Sequence, residues 1–117
     1  MKETIKNIWV KALRSGQYQQ GKMFLQKNNT FCCLGVLCDI MQKETGDLSI
    51  RNQNVWDKCV LYNEVAGSLP IEVRDWAGMW SCDGSITERT SLTSLNDSNN
   101  KTFEEIAEVI EEQWEIL

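Results

Sequence analysis

Residues 102–117 constrain the fold more than any other stretch of the chain. Thr102 and Glu105 stand at the N-cap and N3 positions of a capping box, and Phe103, Ile106, Ala107, Ile110 and Trp114 follow at the spacing of one helix face. The opposite face is glutamate: Glu104, Glu105, Glu108, Glu111, Glu112 and Glu115. An amphipathic helix of this kind is stable only when its apolar stripe is covered. The remainder of the chain must therefore build a core against it.

Residues 4–14 carry a second stripe, Ile5, Ile8, Trp9, Ala12 and Leu13, closed by Ser15-Gly16. In residues 33–45, Leu34, Leu37, Cys38 and Met41 recur at helical spacing before Gly46, a stop signal. A further helix opens at Ser68-Leu69-Pro70 with Pro70 in its first turn, turns Val73, Trp76 and Ala77 inward and ends at Gly78. Between these, residues 22–26 read as a short strand, and Lys27-Asn28-Asn29-Thr30 reads as a turn into Phe31-Cys32, because asparagine tolerates positive φ. Residues 47–58 read as a long polar loop holding Trp56. Residues 59–62 are too short for periodicity to separate a buried strand from a helical turn. Asp83-Gly84, between residues 79–82 and 85–88, predicts a second hairpin. These elements predict one α+β domain over residues 1–117, with about four helices and one or two short antiparallel β-hairpins.

A chain of 117 residues with 42% hydrophobic and 25% charged side chains buries enough surface to fold without disulfides or metals. Its first residues lack the apolar run of a signal peptide, and no apolar stretch approaches the roughly 20 residues of a membrane span. A cytoplasmic protein with no membrane partner is expected. The net charge of −5 arises in the terminal helix: without its six glutamates, 11 acids face 12 bases. Binding to a nucleic-acid backbone calls for a basic balance, so nucleic acid is not an expected partner.

Histidine is absent, which removes the usual general base near neutral pH and the Ser-His and Cys-His nucleophile systems. The five cysteines include Cys32, Cys33 and Cys38, but adjacent cysteines followed by a gap do not match the paired spacing of zinc ligands. They are expected to be free thiols packed as small hydrophobes. No metal, cofactor or catalytic residue is therefore expected.

Binding chemistry is better represented. Arg14 and Lys22 are candidate phosphate partners; Gln20, Asn96 and Asp97 are candidate readers of ribose or base edges, the last two in a polar turn before the terminal helix. Trp80, and Trp56 likewise, lie outside the helices as candidate stacking surfaces. The remaining tryptophans, Trp9, Trp76 and Trp114, fall on the apolar stripes and are assigned to the core.

The strings Ala12-Leu13-Arg14-Ser15-Gly16, Gln20-Gly21-Lys22, Phe31-Cys32-Cys33-Leu34-Gly35-Val36-Leu37-Cys38-Asp39, Leu69-Pro70, Trp76-Ala77-Gly78, Leu95-Asn96-Asp97 and Thr102-Phe103-Glu104-Glu105-Ile106-Ala107 together resemble a family of short proteins encoded by bacteriophages. The resemblance runs nearly end to end and implies residence in the host cytoplasm; it carries no activity and no site residues. By analogy with compact phage proteins that blunt host immunity, the expected function is sequestration, without cleavage, of a small nucleotide-derived immune signal by a homo-oligomer. The alternatives are an acidic inhibitor docking on a basic host protein, as a DNA mimic would, and a small enzyme.

Overall fold

In the computed structural model, which describes residues 1–54 and 58–117, the chain runs α1 (Glu3–Arg14), β1 (Gln19–Gln20), β2 (Gln26–Lys27), β3 (Thr30–Phe31), α2 (Cys33–Thr45), β4 (Ile50–Asn52), β5 (Val60–Tyr62), α3 (Ile71–Ala77), α4 (Leu92–Asp97) and α5 (Phe103–Gln113). The class is α+β, with one helix more than the periodicity predicts. The strands form one sheet in the order β1-β3-β2-β5-β4, in which only the β1–β3 pair is parallel.

Helix α2 is the centre of the molecule. Every residue from Cys33 to Cys38 is buried, so the helix is apolar around its first turns and packs against α1, α3 and α4 at once. Gly35 lets it do so, because a Cβ there would lie 1.7 Å from the Leu25 carbonyl oxygen. Helix α1 lies between α2 and α5. Its Trp9 is fully buried, and the indole N–H donates to the Cys33 carbonyl at 3.0 Å. Pairing of α1 with α5 is reinforced by Lys6, buried in spite of its charge, which reaches Glu111 at 3.2 Å with its ammonium 5.5 Å from the Trp114 ring centre.

The asparagine turn forms as expected: Asn28 and Asn29 take φ of 53° and 60°, and Gln26 pairs with Phe31 and Lys27 with Thr30. Strand β2 begins only at Gln26, so the strand expected over residues 22–26 survives at its last residue. Residues 60–62 are a strand, pairing in antiparallel register with β4, which occupies part of the expected 47–58 loop. Trp56 lies outside the described residues.

At Asp83-Gly84 tertiary contacts override the local signal. Gly84 holds φ of 68°, but residues 79–82 and 85–88 do not pair as strands. Instead the Asp83 and Gly84 carbonyls accept the N–H groups of Thr93 and Leu92, capping α4, and the chain reverses between Ile86 and Thr90. Helix α4 contains Asn96 and Asp97, which were expected in a turn; its start is a Ser91–Ser94 capping box. Pro70 sits at the N-cap of α3 rather than within its first turn. Ile8 is exposed, and Trp76 and Trp114 are half-buried, so of the three tryptophans assigned to the core Trp9 is the one fully buried there.

The five cysteines are free thiols, with Cys82 half-buried and the others buried. Burial pushes the Cys32 thiol up to about 11 and raises Cys33 and Cys38 well above the usual range, so none of the three is an available thiolate near neutrality. At pH 8 a chromogenic disulfide reagent is expected to titrate Cys82 in the folded protein and all five thiols only after denaturation. Rapid native reaction at Cys32 or Cys33 would contradict this packing. Among the described residues no group of three or more His, Cys, Asp and Glu is placed to hold a metal, and no helix is long and apolar enough to cross a membrane.

Candidate functional site

Of the residues selected from sequence, six are described, and four of them meet at one place. Strand β1 presents Gln20, whose amide donates to the Asn96 side-chain oxygen at 2.9 Å and to the Lys101 carbonyl at 2.8 Å, while its oxygen accepts the Phe103 N–H at 3.1 Å. From α4, Asn96 is 1% exposed; its oxygen also accepts the Cys33 N–H at 3.2 Å, and its amide donates to the Gly21 carbonyl at 2.9 Å and to Asp97 at 2.8 Å. The Asp97 carboxylate in turn accepts the Met23 N–H at 3.0 Å. Residues 20–23 are thus fastened to the first turns of both α2 and α5. Asn96 satisfies the buried Cys33 N–H and Gln20 ties backbone groups of two neighbouring segments, so their roles are structural before they are anything else.

Next to this clasp is a cleft of about 190 Å³, walled by Gln20, Gly21 and Lys22 on one side and by Asn96, Asn100, Lys101 and Thr102 on the other. The Lys22 ammonium donates across it to the Asn100 side-chain oxygen. Lys101 lies 3.8 Å from Glu105, a long and exposed pairing. Hydrogen bonds from the Thr102 backbone N–H and hydroxyl hold the Glu105 carboxyl below its usual range, so it is ionised and offsets part of the Lys101 charge. The cleft therefore offers two ammonium groups and several carboxamides. Such a set can grip a phosphate and hydroxyls.

Arg14 and Trp80 do not line the cleft. Arg14 is paired across the α1–α5 contact, with Glu104 at 3.1 Å and Glu111 at 3.8 Å. Trp80 is 64% exposed, but its indole N–H donates to the Ile116 carbonyl at 2.7 Å and its backbone N–H to Leu117, fixing it at the end of the chain. Sequence reasoning missed Asn100 and Lys101. Their signal was weak: Asn99-Asn100-Lys101 reads as a lead-in to the capping box, and only the positive φ of Asn100, 54°, marks a backbone bent to shape a wall. A wider recess of about 260 Å³, lined by Asn28, Asn29, Asn52, Asn54 and Lys58 among others, contains none of the residues selected from sequence that the structure describes.

A family model described as a domain of unknown function (DUF8296) matches residues 1–114. No curated protein and no solved structure matches the chain.

Proposed function

We propose that this chain, which belongs to the DUF8296 family, binds and sequesters a small phosphorylated, nucleotide-derived ligand in the Lys22–Lys101 cleft without turning it over. The observation that carries this is that two lysines from separate segments, Lys22 and Lys101, line one cleft whose other walls are Gly21, carboxamides and a hydroxyl. Phosphate attracts both ammonium groups, and amide side chains match ribose hydroxyls, which also donate and accept. Small-molecule sites usually enclose about 300–1,000 Å³. A cleft of about 190 Å³ suits the terminal phosphate and sugar of a larger ligand. A second copy of the chain closing over the remainder accounts for the rest, and a homo-oligomer is part of the proposal. With the resemblance to short phage-encoded proteins, the setting is the host cytoplasm and the ligand a host immune signal.

Calorimetric titration with linear and cyclic ADP-ribose derivatives and cyclic dinucleotides tests this. Binding is expected for at least one, with Lys22→Ala and Lys101→Ala each weakening it about tenfold to a hundredfold, as loss of a charge-assisted contact does. Heat-denatured complex should release the ligand chemically unchanged. Silence across the panel, or a released product, would overturn the proposal.

A second reading has its own support. Glu108, Glu112 and Glu115 are exposed on and just beyond α5 and form no ion pair among the described residues, unlike Glu104 and Glu111. An acidic inhibitor would use these three, and it should copurify with a basic host protein in a manner abolished by their joint replacement with glutamine.

A further inference from the structure

We infer that Trp80 and Ile116 form a docking surface for a protein partner whose apolar contact is edged by lysine and arginine; this rests on the acidic-inhibitor reading above. Trp80 is 64% exposed and Ile116 48% exposed, although the residue beside each, Met79 and Leu117, is buried. The two come from positions 36 apart and are locked together. The Trp80 indole N–H donates to the Ile116 carbonyl at 2.7 Å, and the Trp80 backbone N–H to the Leu117 carbonyl at 3.1 Å. A tryptophan whose single side-chain donor is satisfied and whose backbone is fixed presents its ring in one orientation, so little freedom is lost when a partner covers it. Tryptophan is among the residues that dominate interface energies.

Charge decides what covers the pair. The backbone stays helical at Trp114 and turns on through Ile116, whose N–H donates to the Gln113 carbonyl. Glu112 therefore lies one turn before Ile116 and Glu115 directly beside it. Both are exposed, and neither forms an ion pair among the described residues. Lys2, beside Gly78, is a cation near this edge, and Glu3 follows it. The apolar pair thus has a rim that is acidic on balance. An isologous contact between two copies would set that rim against itself, whereas a basic rim on a different protein is attracted to it. An apolar centre within a charged border is the usual anatomy of a protein interface.

The probe is an amphipathic helical peptide of about 18 residues with leucine on one face and lysine on the other, beside a counterpart carrying glutamate for lysine. Calorimetric titration is expected to show binding of the lysine peptide and none of the glutamate peptide. Trp80→Ala and Ile116→Ser leave the charge unchanged, so a merely electrostatic attraction would survive them; each is expected to weaken binding at least about tenfold. Ile116→Ser keeps the carbonyl that holds Trp80, and its melt should stay near that of the parent. Joint replacement of Glu112 and Glu115 by glutamine should weaken binding and flatten its salt dependence. Parent affinity in both Trp80→Ala and Ile116→Ser would overturn the docking surface while the acidic reading stands. Equal binding of the two peptides would overturn the basic rim. A parent dimer in sedimentation that Trp80→Ala dissociates would make the occupant a second copy and overturn the assignment. No binding of the lysine peptide would overturn it too, leaving copurification to decide the acidic reading alone.

Discussion

A single methyl group at position 35 is expected to lower the Tm by about 10–15 °C or to prevent folding. Two effects oppose each other in Gly35→Ala. Alanine favours the helix by about 1 kcal/mol over glycine, but its Cβ would lie 1.7 Å from the Leu25 oxygen and 2.5 Å from the Leu25 carbonyl carbon. These are backbone atoms and cannot rotate away, so either α2 or the residues before β2 must shift. Overpacking that forces such shifts costs about 1–3 kcal/mol and sometimes more. With nothing flexible in the way, the cost exceeds that range at about 4 kcal/mol; less the helix gain, about 3 kcal/mol remains, which for a domain of this size corresponds to the stated fall in Tm. Gly46→Ala is the control: φ is 71°, but no atom lies within 4 Å of the added Cβ, so only the cost of an alanine in the left-handed region remains. Thermal melts by circular dichroism decide the matter, and a Gly35→Ala melt within a few degrees of the parent would mean that α2 does not rest on Leu25.

Asn96→Leu should be comparably damaging, for a different reason. The two side chains are close in size, but leucine leaves the Cys33 N–H and the Gly21 carbonyl without the partners that Asn96 supplies, and removes one of the acceptors of Gln20. The buried Cys33 N–H left unsatisfied costs about 1–3 kcal/mol and the Gly21 carbonyl, half-buried at the cleft, adds less, so the expected loss is about 2–4 kcal/mol. Because Gln20 and Gly21 would also lose their bonds to α4, although Met23 stays held by Asp97, affinity for the ligand proposed above should fall further than the stability loss alone implies. Asp97→Asn, which keeps an oxygen for the Met23 N–H, should be much milder in both measurements. A denaturant titration of Asn96→Leu that matched the parent would show the clasp to be dispensable.

Three helices of the α+β fold were legible for physical reasons that the shorter elements did not share. Helices α1, α2 and α5 are long enough for an apolar stripe to repeat and carry recognisable ends, such as Gly46 in the left-handed conformation and the Thr102–Glu105 box. Helix α4 is six residues long, too short to show a period, and its box closes with Ser94 where glutamate or glutamine is the familiar signal. Strand β4, Ile50–Asn52, is exposed along its length and has no alternation to read; its identity comes from β5 beside it. Asp83-Gly84 carried a strong local hairpin signal, yet its carbonyls serve α4, and the close approach of Leu92 to Gly84 fixes the chain there. For the cleft, residue type pointed to Gln20, Lys22, Asn96 and Asp97 as polar groups of consequence, but could not separate a carboxamide that braces backbone from one that meets a ligand. Arg14 and Trp80 fell elsewhere because their partners, Glu104, Glu111 and Ile116, are distant in the chain, and long-range pairing leaves no mark on local pattern.

The pairing of α1 with α5 also sets a timetable for the nascent chain. Arg14 and Glu104 are separated by 90 positions, and Lys6 and Glu111 by 105. At about 5–20 residues per second, a ribosome takes about 5–20 s to synthesise the partner after α1 has emerged. During that interval the bond between Trp9 and Cys33, only 24 positions apart, can already form, whereas the face of α1 that α5 will cover stays open. Translation of this protein thus passes through a half-built stage with apolar surface in water, in which a chaperone has something to hold and a slow codon between those for α1 and α5 prolongs the exposure.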